Sequence, residues 1–248
     1  MTNLGSVFTN QIFKSNLTNK RVAELSLTLG LSSDGIRQLS SLMAPQKKIK
    51  KGETLFNQGE RLESLYAIRS GFFKTTMTTL AGTEQVSGFQ MMGEILGMDA
   101  ISTEHHTCNA VALYDSLISG VHLSQLEQLA QELPLLQHNF NKLMSHEIVH
   151  SRSLLLMMGT MNADERLAAF LLDLSARFAV HGYSPNFFIL RMRREEIASY
   201  LGLRMETICR AVTRLREMSL ANLSGRNVEI LDLPGLKYHI AGCNRQKI

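Results

Sequence analysis

The run from Arg194 to Leu215 constrains this chain more than any other, because its apolar spacing describes two short helices joined by one tight turn. Ile197 and Leu201 stand one helical turn apart, Gly202 tolerates the left-handed region at a helix end, and Leu203 returns the chain to the core. The first helix should stop at Gly202. Ile208, Val212 and Leu215 then follow at i, i+4 and i+7, which turns one stripe of the second helix inward and leaves Glu206, Cys209, Arg210 and Thr213 on the other face. A helix-turn-helix with that outer face is suited to DNA. An arginine near the start of the second helix fits a bidentate pair with a guanine edge, and a glutamate beside it fits acceptance from a cytosine amino group. Glu206 and Arg210 are therefore expected to read a C·G step. A solvated amphipathic helix pair is the bland alternative. Against it, Leu220 to Leu223, a turn at Ser224-Gly225-Arg226-Asn227 and Val228 to Leu231 read as a β-hairpin, which makes the motif winged.

The charge is placed unevenly. The net charge is only +4, yet no Lys or Arg occurs from Thr75 to Asn141, while Arg191, Arg193, Arg194, Arg204, Arg210, Arg214 and Arg216 crowd the motif. One end of the chain is built to face phosphate. With 248 residues and 44% hydrophobic content, each of two domains can bury a core. No run approaches the roughly 18 apolar residues of a membrane span, and the N-terminus lacks the pattern of a secretion signal, so a cytoplasmic protein that does not engage a membrane is expected. Cys108, Cys209 and Cys243 are odd in number and widely spaced, which points to free thiols rather than a disulfide framework or a metal site.

Along the chain, residues 1–20 are polar without apolar period and read as a flexible tail. Residues 21–133 read as short helices flanking a β-rich segment, with Leu31-Ser32-Ser33-Asp34-Gly35-Ile36 as a capped helix start and glycines breaking short strands from Lys48 to Leu123. A long helix and hinge follow over 134–162, opening at Pro134. Phe140, Met144, Ile148, Ser151, Leu155 and Met158 recur there at spacings of four and three, the pattern of a seam where one helix meets another. Either a partner helix or the chain's own β-rich segment could fill it. Residues 163–248 hold the winged motif. The fold class is α+β.

With these features placed, the chain resembles the CRP/FNR family of bacterial transcription regulators, within it the FNR (fumarate and nitrate reduction regulator) branch. The resemblance rests on Lys51-Gly52-Glu53-Thr54-Leu55-Phe56, Ser64 to Gly71, Asn162 to Phe170, and Tyr200-Leu201-Gly202-Leu203 followed by Glu206-Thr207. It implies an N-terminal β-roll of the cyclic-nucleotide-binding, jelly-roll kind, a long dimerisation helix and a C-terminal winged helix-turn-helix. It also implies a parallel homodimer acting on an inverted-repeat, TTGAT-like site of double-stranded DNA, read by a Glu-x-x-Ser-Arg pattern. Here Cys209 replaces the serine, and Met205 stands where the catabolite activator branch has Arg. As an activator, the protein would touch RNA polymerase through the loop around Gly82-Thr83-Glu84.

The family's two familiar effectors lack their residues. The FNR branch holds an iron–sulfur cluster on three N-terminal cysteines and one in the β-roll; residues 1–107 contain no cysteine, and Ser119 sits at the fourth position. The catabolite activator branch binds a cyclic nucleotide beyond a Gly-Glu turn. That turn survives as Gly93-Glu94-Ile95-Leu96-Gly97, but Met98 replaces the second acid and Thr107-Cys108-Asn109 stands near the Arg-Ser position. No cofactor is therefore expected. Ser151, acidic in FNR, removes a repulsion across the seam, so cofactor-free dimerisation and DNA binding are expected. The competing readings are a small metabolite bound in the β-roll and thiol-redox control through Cys209, an arginine-flanked thiol on the groove face. His105-His106 and the Met pairs are read as structural. No enzyme motif is found. Finally, Arg193 and Arg204 stand where the family places a capping Thr or Ser, which suggests that these two helix starts trade their caps for phosphate binding; Arg214 joins them as a phosphate candidate.

Overall fold

A computed structural model describes residues 30–241. The expected tail over 1–20, the helical expectation over 21–29 and Cys243 lie outside the described residues. The chain divides between Val149 and His150 into two units.

In the first unit, α1 (Ser33–Leu42) starts as expected, Ser32 accepting the Gly35 N–H at 3.1 Å. Eight strands follow: β1 (Lys47–Ile49), β2 (Thr54–Phe56), β3 (Ser64–Ser70), β4 (Phe72–Thr78), β5 (Glu84–Met91), β6 (Ile95–Leu96), β7 (Asn109–Ala112) and β8 (Ser116–His122). They form two antiparallel sheets, ordered β1-β8-β3-β6 and β2-β7-β4-β5. Between β3 and β4 the crossing from one sheet to the other takes one residue, Gly71. Its φ is 105°, and a Cβ there would lie 2.0 Å from the Ser116 hydroxyl oxygen, so only glycine can make the switch. Between the sheets lie Ile49, Phe56, Ile68, Phe73, Leu96 and Ile118. A second cluster, with Leu65, Val121, Leu126, Leu129 and Leu136, packs α2 (Leu123–Glu132) and the start of α3 (Pro134–Thr160) onto β3 and β8. Each such side chain removed from water contributes about 2 kcal/mol.

The second unit takes in the end of α3, α4 (Ala163–Val180), β9 (Phe187–Ile189), α5 (Arg194–Tyr200), α6 (Met205–Glu217), β10 (Ala221–Ser224), β11 (Asn227–Ile230) and α7 (Leu233–Ile240). Helix α4 opens on a complete capping box: Asn162 Oδ1 accepts the N–H groups of Asp164 at 3.0 Å and Glu165 at 3.1 Å, and Glu165 accepts from Asn162 N–H at 2.8 Å. Leu167, Leu171 and Leu174 on α4 are fully buried, and α6 and α7 pack on that helix. Each strand of the hairpin sits one residue nearer the turn than the sequence implied, and the hairpin acquires a third strand: β9 pairs with β11, placing Phe188 opposite Val228. The molecule is α+β, a β-roll followed by long helices and a winged helix-turn-helix.

Candidate nucleic-acid interface

Helix α5 is anchored by Ile197, Ala198 and Tyr200, all buried. It ends as the sequence implied. Leu201 caps it, Gly202 takes φ 63°, Gly202 N–H donates to Ser199 C=O at 3.1 Å and Leu203 N–H donates to Ala198 C=O at 2.9 Å. This is the Schellman closure, which uses carbonyls the helix itself cannot satisfy. Two residues later α6 begins, burying Ile208, Ala211, Val212 and Leu215. Glu206 and Arg210 are exposed on its other side, with Cys209 and Thr213 half-buried between them. Cys209, Arg210, Thr213 and Arg214 line one shallow groove. The side chains expected to face DNA are thus brought together on one helix face.

Their hydrogen bonds separate their roles. Thr213 Oγ1 donates back to its own helix at Cys209 C=O, 3.2 Å, and Arg194 Nη1 lies 3.9 Å from Cys209 Sγ. Arg214 reaches instead to the first turn of α4, where its Nε and Nη2 each donate to one oxygen of the Asp164 carboxylate. These hydrogen bonds raise the guanidinium pKa further above its ordinary value. No spacing pattern announces this pair, whose members stand 50 residues apart. Arg193 and Arg204 occupy the N-cap positions of α5 and α6, and neither side chain accepts a backbone hydrogen bond. Arg193 is partly compensated, since its N–H donates to buried Glu196 at 2.7 Å. Met205, the first residue of α6, is 42% exposed, an apolar surface position that sequence spacing does not single out.

On α3, Ile148 and Leu155 of the expected seam are 50% and 70% exposed, Ser151 is exposed, and Met144 and Met158 are half-buried. Phe140 packs within its own unit, against the cluster of Leu126 and Leu136. Val149 and Leu156, not among the expected positions, are exposed beside Ile148 and Leu155 and widen the apolar stripe.

In the β-roll, the groups around the Gly93–Gly97 turn and at Thr107-Cys108 are engaged by protein partners. Asp99, just past the Gly93–Gly97 turn, accepts Thr107 N–H at 2.7 Å and Thr107 Oγ1 at 3.1 Å, with Cys108 Sγ at 3.5 Å. A phosphodiester at Thr107-Cys108 would meet this carboxylate. Glu94 is committed to Met91 N–H at 3.0 Å, and His106 is buried, stacked on Phe56 with ring centres 3.6 Å apart. Burial, reinforced by Asp99, pushes the Cys108 thiol above its ordinary pKa, the reverse of what a thiolate ligand needs. With three cysteines in all, one of them on α6, the chain cannot supply the four thiolates of an iron–sulfur cluster. Among the described residues no group of His, Cys, Asp and Glu could hold a metal ion, and no helix is long and apolar enough to cross a membrane.

Two family models match the chain: the cyclic nucleotide-binding domain over residues 46–132 and the Crp-like helix-turn-helix domain over 165–238. The chain is 38% identical over 216 residues to the transcriptional regulatory protein Btr of Bordetella pertussis, covering 87% of this chain and 89% of that protein. It is 39% identical over 209 residues to the fumarate and nitrate reduction regulatory protein of Escherichia coli, covering 84% of each. The solved structure of FixK2 from Bradyrhizobium japonicum superposes with a TM-score of 0.71 at 28% identity, covering 79% of this chain and 96% of that one. With a β-roll, long helices and a winged helix-turn-helix in that order, this chain belongs to the CRP/FNR family of DNA-binding transcription regulators, with its affinity to the FNR branch.

Proposed function

We propose that the protein is a homodimeric transcription regulator, not an enzyme, that binds an inverted repeat through two copies of α6 and acts in the cytoplasm without an iron–sulfur cluster or cyclic nucleotide. The observation that carries this reading is the face of α6: Glu206 and Arg210 stand exposed one turn apart, opposite a fully buried stripe. In a TTGAT-like half-site they read the C·G pair, with Cys209 and Thr213 as weaker neighbours. Arg193 and Arg204 reach phosphates. Arg214, held by Asp164, has a narrower reach toward the backbone. The exposed apolar stripe of α3 around Ile148 and Leu155 supports a two-fold partner, which would set two recognition helices about one turn of DNA apart. In this organisation residues 21–133 form the sensor-like body, 134–162 the dimerisation helix and hinge, and 163–248 the reader. Activation would use the surface near Gly82-Thr83-Glu84 to engage RNA polymerase.

The experiment selects duplexes from a random pool with aerobically purified protein, with and without reductant, and compares the parent with a Glu206→Ala, Arg210→Ala double variant. The parent should recover an inverted repeat under both conditions. The double variant should lose roughly 100-fold in its preference for that site over random DNA, since one mismatched base pair costs about 1–3 kcal/mol. Equal preference in both proteins would defeat the assignment.

A further inference from the structure

We infer that Arg166 is the positioning residue that mounts the helix-turn-helix on the last turns of α3 and thereby sets which half-site spacing the dimer accepts. The inference rests on the dimeric reading above and adds a residue that no sequence pattern singles out. The part-buried Arg166 guanidinium makes three hydrogen bonds, every one to a backbone carbonyl: Nη2 to Met158 at 2.6 Å, Nε to Met161 at 3.0 Å and Nη1 to Leu201 at 3.0 Å. Met158 lies in the final turn of α3, Met161 in the connector, and Leu201 is the C-cap of α5. Carbonyls at helix ends have no partner within their helix and carry partial negative charge, so they suit a cation. A planar fork of five donors can hold three such segments in one fixed geometry; a flexible ammonium cannot. Arg166 itself cannot swing freely, because it sits in the first turn of α4 beside the Asn162–Glu165 capping box.

A second joint stands two turns earlier on α3. His150 Nε2 lies 3.4 Å from the hydroxyl of Tyr200, and Tyr200 is buried in α5 against Phe170, ring centres 5.8 Å apart. The eight helical steps from His150 to Met158 span about 12 Å. Two joints that far apart fix rotation as well as distance between the end of α3 and α5. Helix α5 then carries α6 through the closed turn at Gly202 and Leu203. Adding one base pair between half-sites moves the second by about 3.4 Å and a tenth of a helical turn, a change a rigid mount rejects and a loose one follows.

The test uses the full-length chain and a series of duplexes that keep both half-sites and change the spacer by one or two base pairs, together with a set that keeps the spacer and changes the base pair under Arg210. The parent should favour one spacer over its neighbours by roughly 30-fold. Arg166→Gln should reduce that ratio below about fivefold while base discrimination stays within about twofold of the parent. Arg166→Lys, which keeps the charge and loses the fork, should fall between them, and it decides the matter if the Gln variant does not fold. Parent-like spacer ratios in both variants would overturn the inference, as would equal loss of spacer and base discrimination, which would mark Arg166 as merely structural. A parent indifferent to spacing would instead strike the dimeric reading itself, and this inference with it.

Discussion

Helix α4 and the two helices of the reading motif begin in opposite ways. At α4 the Asn162 side chain takes two N–H groups and Glu165 accepts a third. Ser32 at α1 and Asp232 at α7, which accepts Gly235 N–H at 2.9 Å, do the same work more simply. At α5 and α6 the capping position holds Arg193 and Arg204, whose side chains accept nothing; only α5 keeps part of a cap, where Glu196 accepts Arg193 N–H at 2.7 Å. Missing caps cost roughly 0.5–2 kcal/mol each, and a cation at a helix start is itself unfavourable. The difference lies within one unit: the supporting helix is closed by the side chain at its N-cap, while the two helices of the motif carry a cation at that position.

The largest effect is expected where the closed helix is opened. Asn162→Ala removes both accepted hydrogen bonds at once and leaves the first turn of α4, which also carries Asp164, Glu165 and Arg166, without its lock. The chain should lose about 1–2 kcal/mol of stability, read as a lower thermal or urea midpoint. Because Asp164 holds Arg214 and Arg166 holds the hinge, DNA affinity should fall as well. An unchanged midpoint would erase the contrast between the two kinds of helix start.

The same contrast explains what could be read from the sequence. The motif was legible because Gly202 and the Ile208, Val212, Leu215 stripe carry their signal in spacing alone. The start at Ser32, the break at Pro134 and the bare caps at Arg193 and Arg204 were legible for the same reason. Strand β9 was not: three residues with one buried, Phe188, leave too short an alternation to register. The Asp164–Arg214 pair and the three carbonyls on Arg166 were equally hidden. The first joins side chains far apart in the chain, and the second uses backbone acceptors, which every residue has and no residue type announces. The exposed apolar stripe of α3 was half legible, since the spacing picked out Ile148 and Leu155, both exposed, while Phe140, in step with them, serves its own unit's core.

A middle-sized effect should appear at the bare start of α6. Arg204→Ser restores an acceptor for the first turn and removes a cation from the positive end of the helix, so stability should rise by about 1 kcal/mol. If Arg204 reaches phosphate, DNA binding should become less sensitive to salt, the slope of log K against log salt falling by about 0.9 for each phosphate no longer neutralised and so by about 1.8 for a dimer. Filter binding over a salt series, beside thermal melting, measures both. A stabilised variant with the parent's slope would mean that the missing cap has no counterpart in binding.

The smallest effect concerns the other ends of the same two helices, where the closure is identical and the residue is not. Helix α6 stops with Ser219 N–H donating to Arg216 C=O and Leu220 N–H to Leu215 C=O, both at 2.9 Å, the pattern found at Gly202, but the left-handed position holds serine at φ 56°. A non-glycine residue there costs roughly 1–2 kcal/mol. Glycine would recover that while giving back about 0.4–1 kcal/mol of unfolded-chain entropy, so Ser219→Gly should stabilise by about 0.5 kcal/mol. The mirror variant, Gly202→Ser, should lose a similar amount, because a Cβ at Gly202 would meet nothing closer than Arg166 Nη1 at 3.8 Å and the loss is therefore conformational rather than steric. Equal and opposite shifts in the unfolding midpoint would show that the two helix ends are one device built from two residues. A Gly202→Ser loss several times larger would instead trace to the neighbouring Arg166 mount, and would bind the turn and the hinge into a single element.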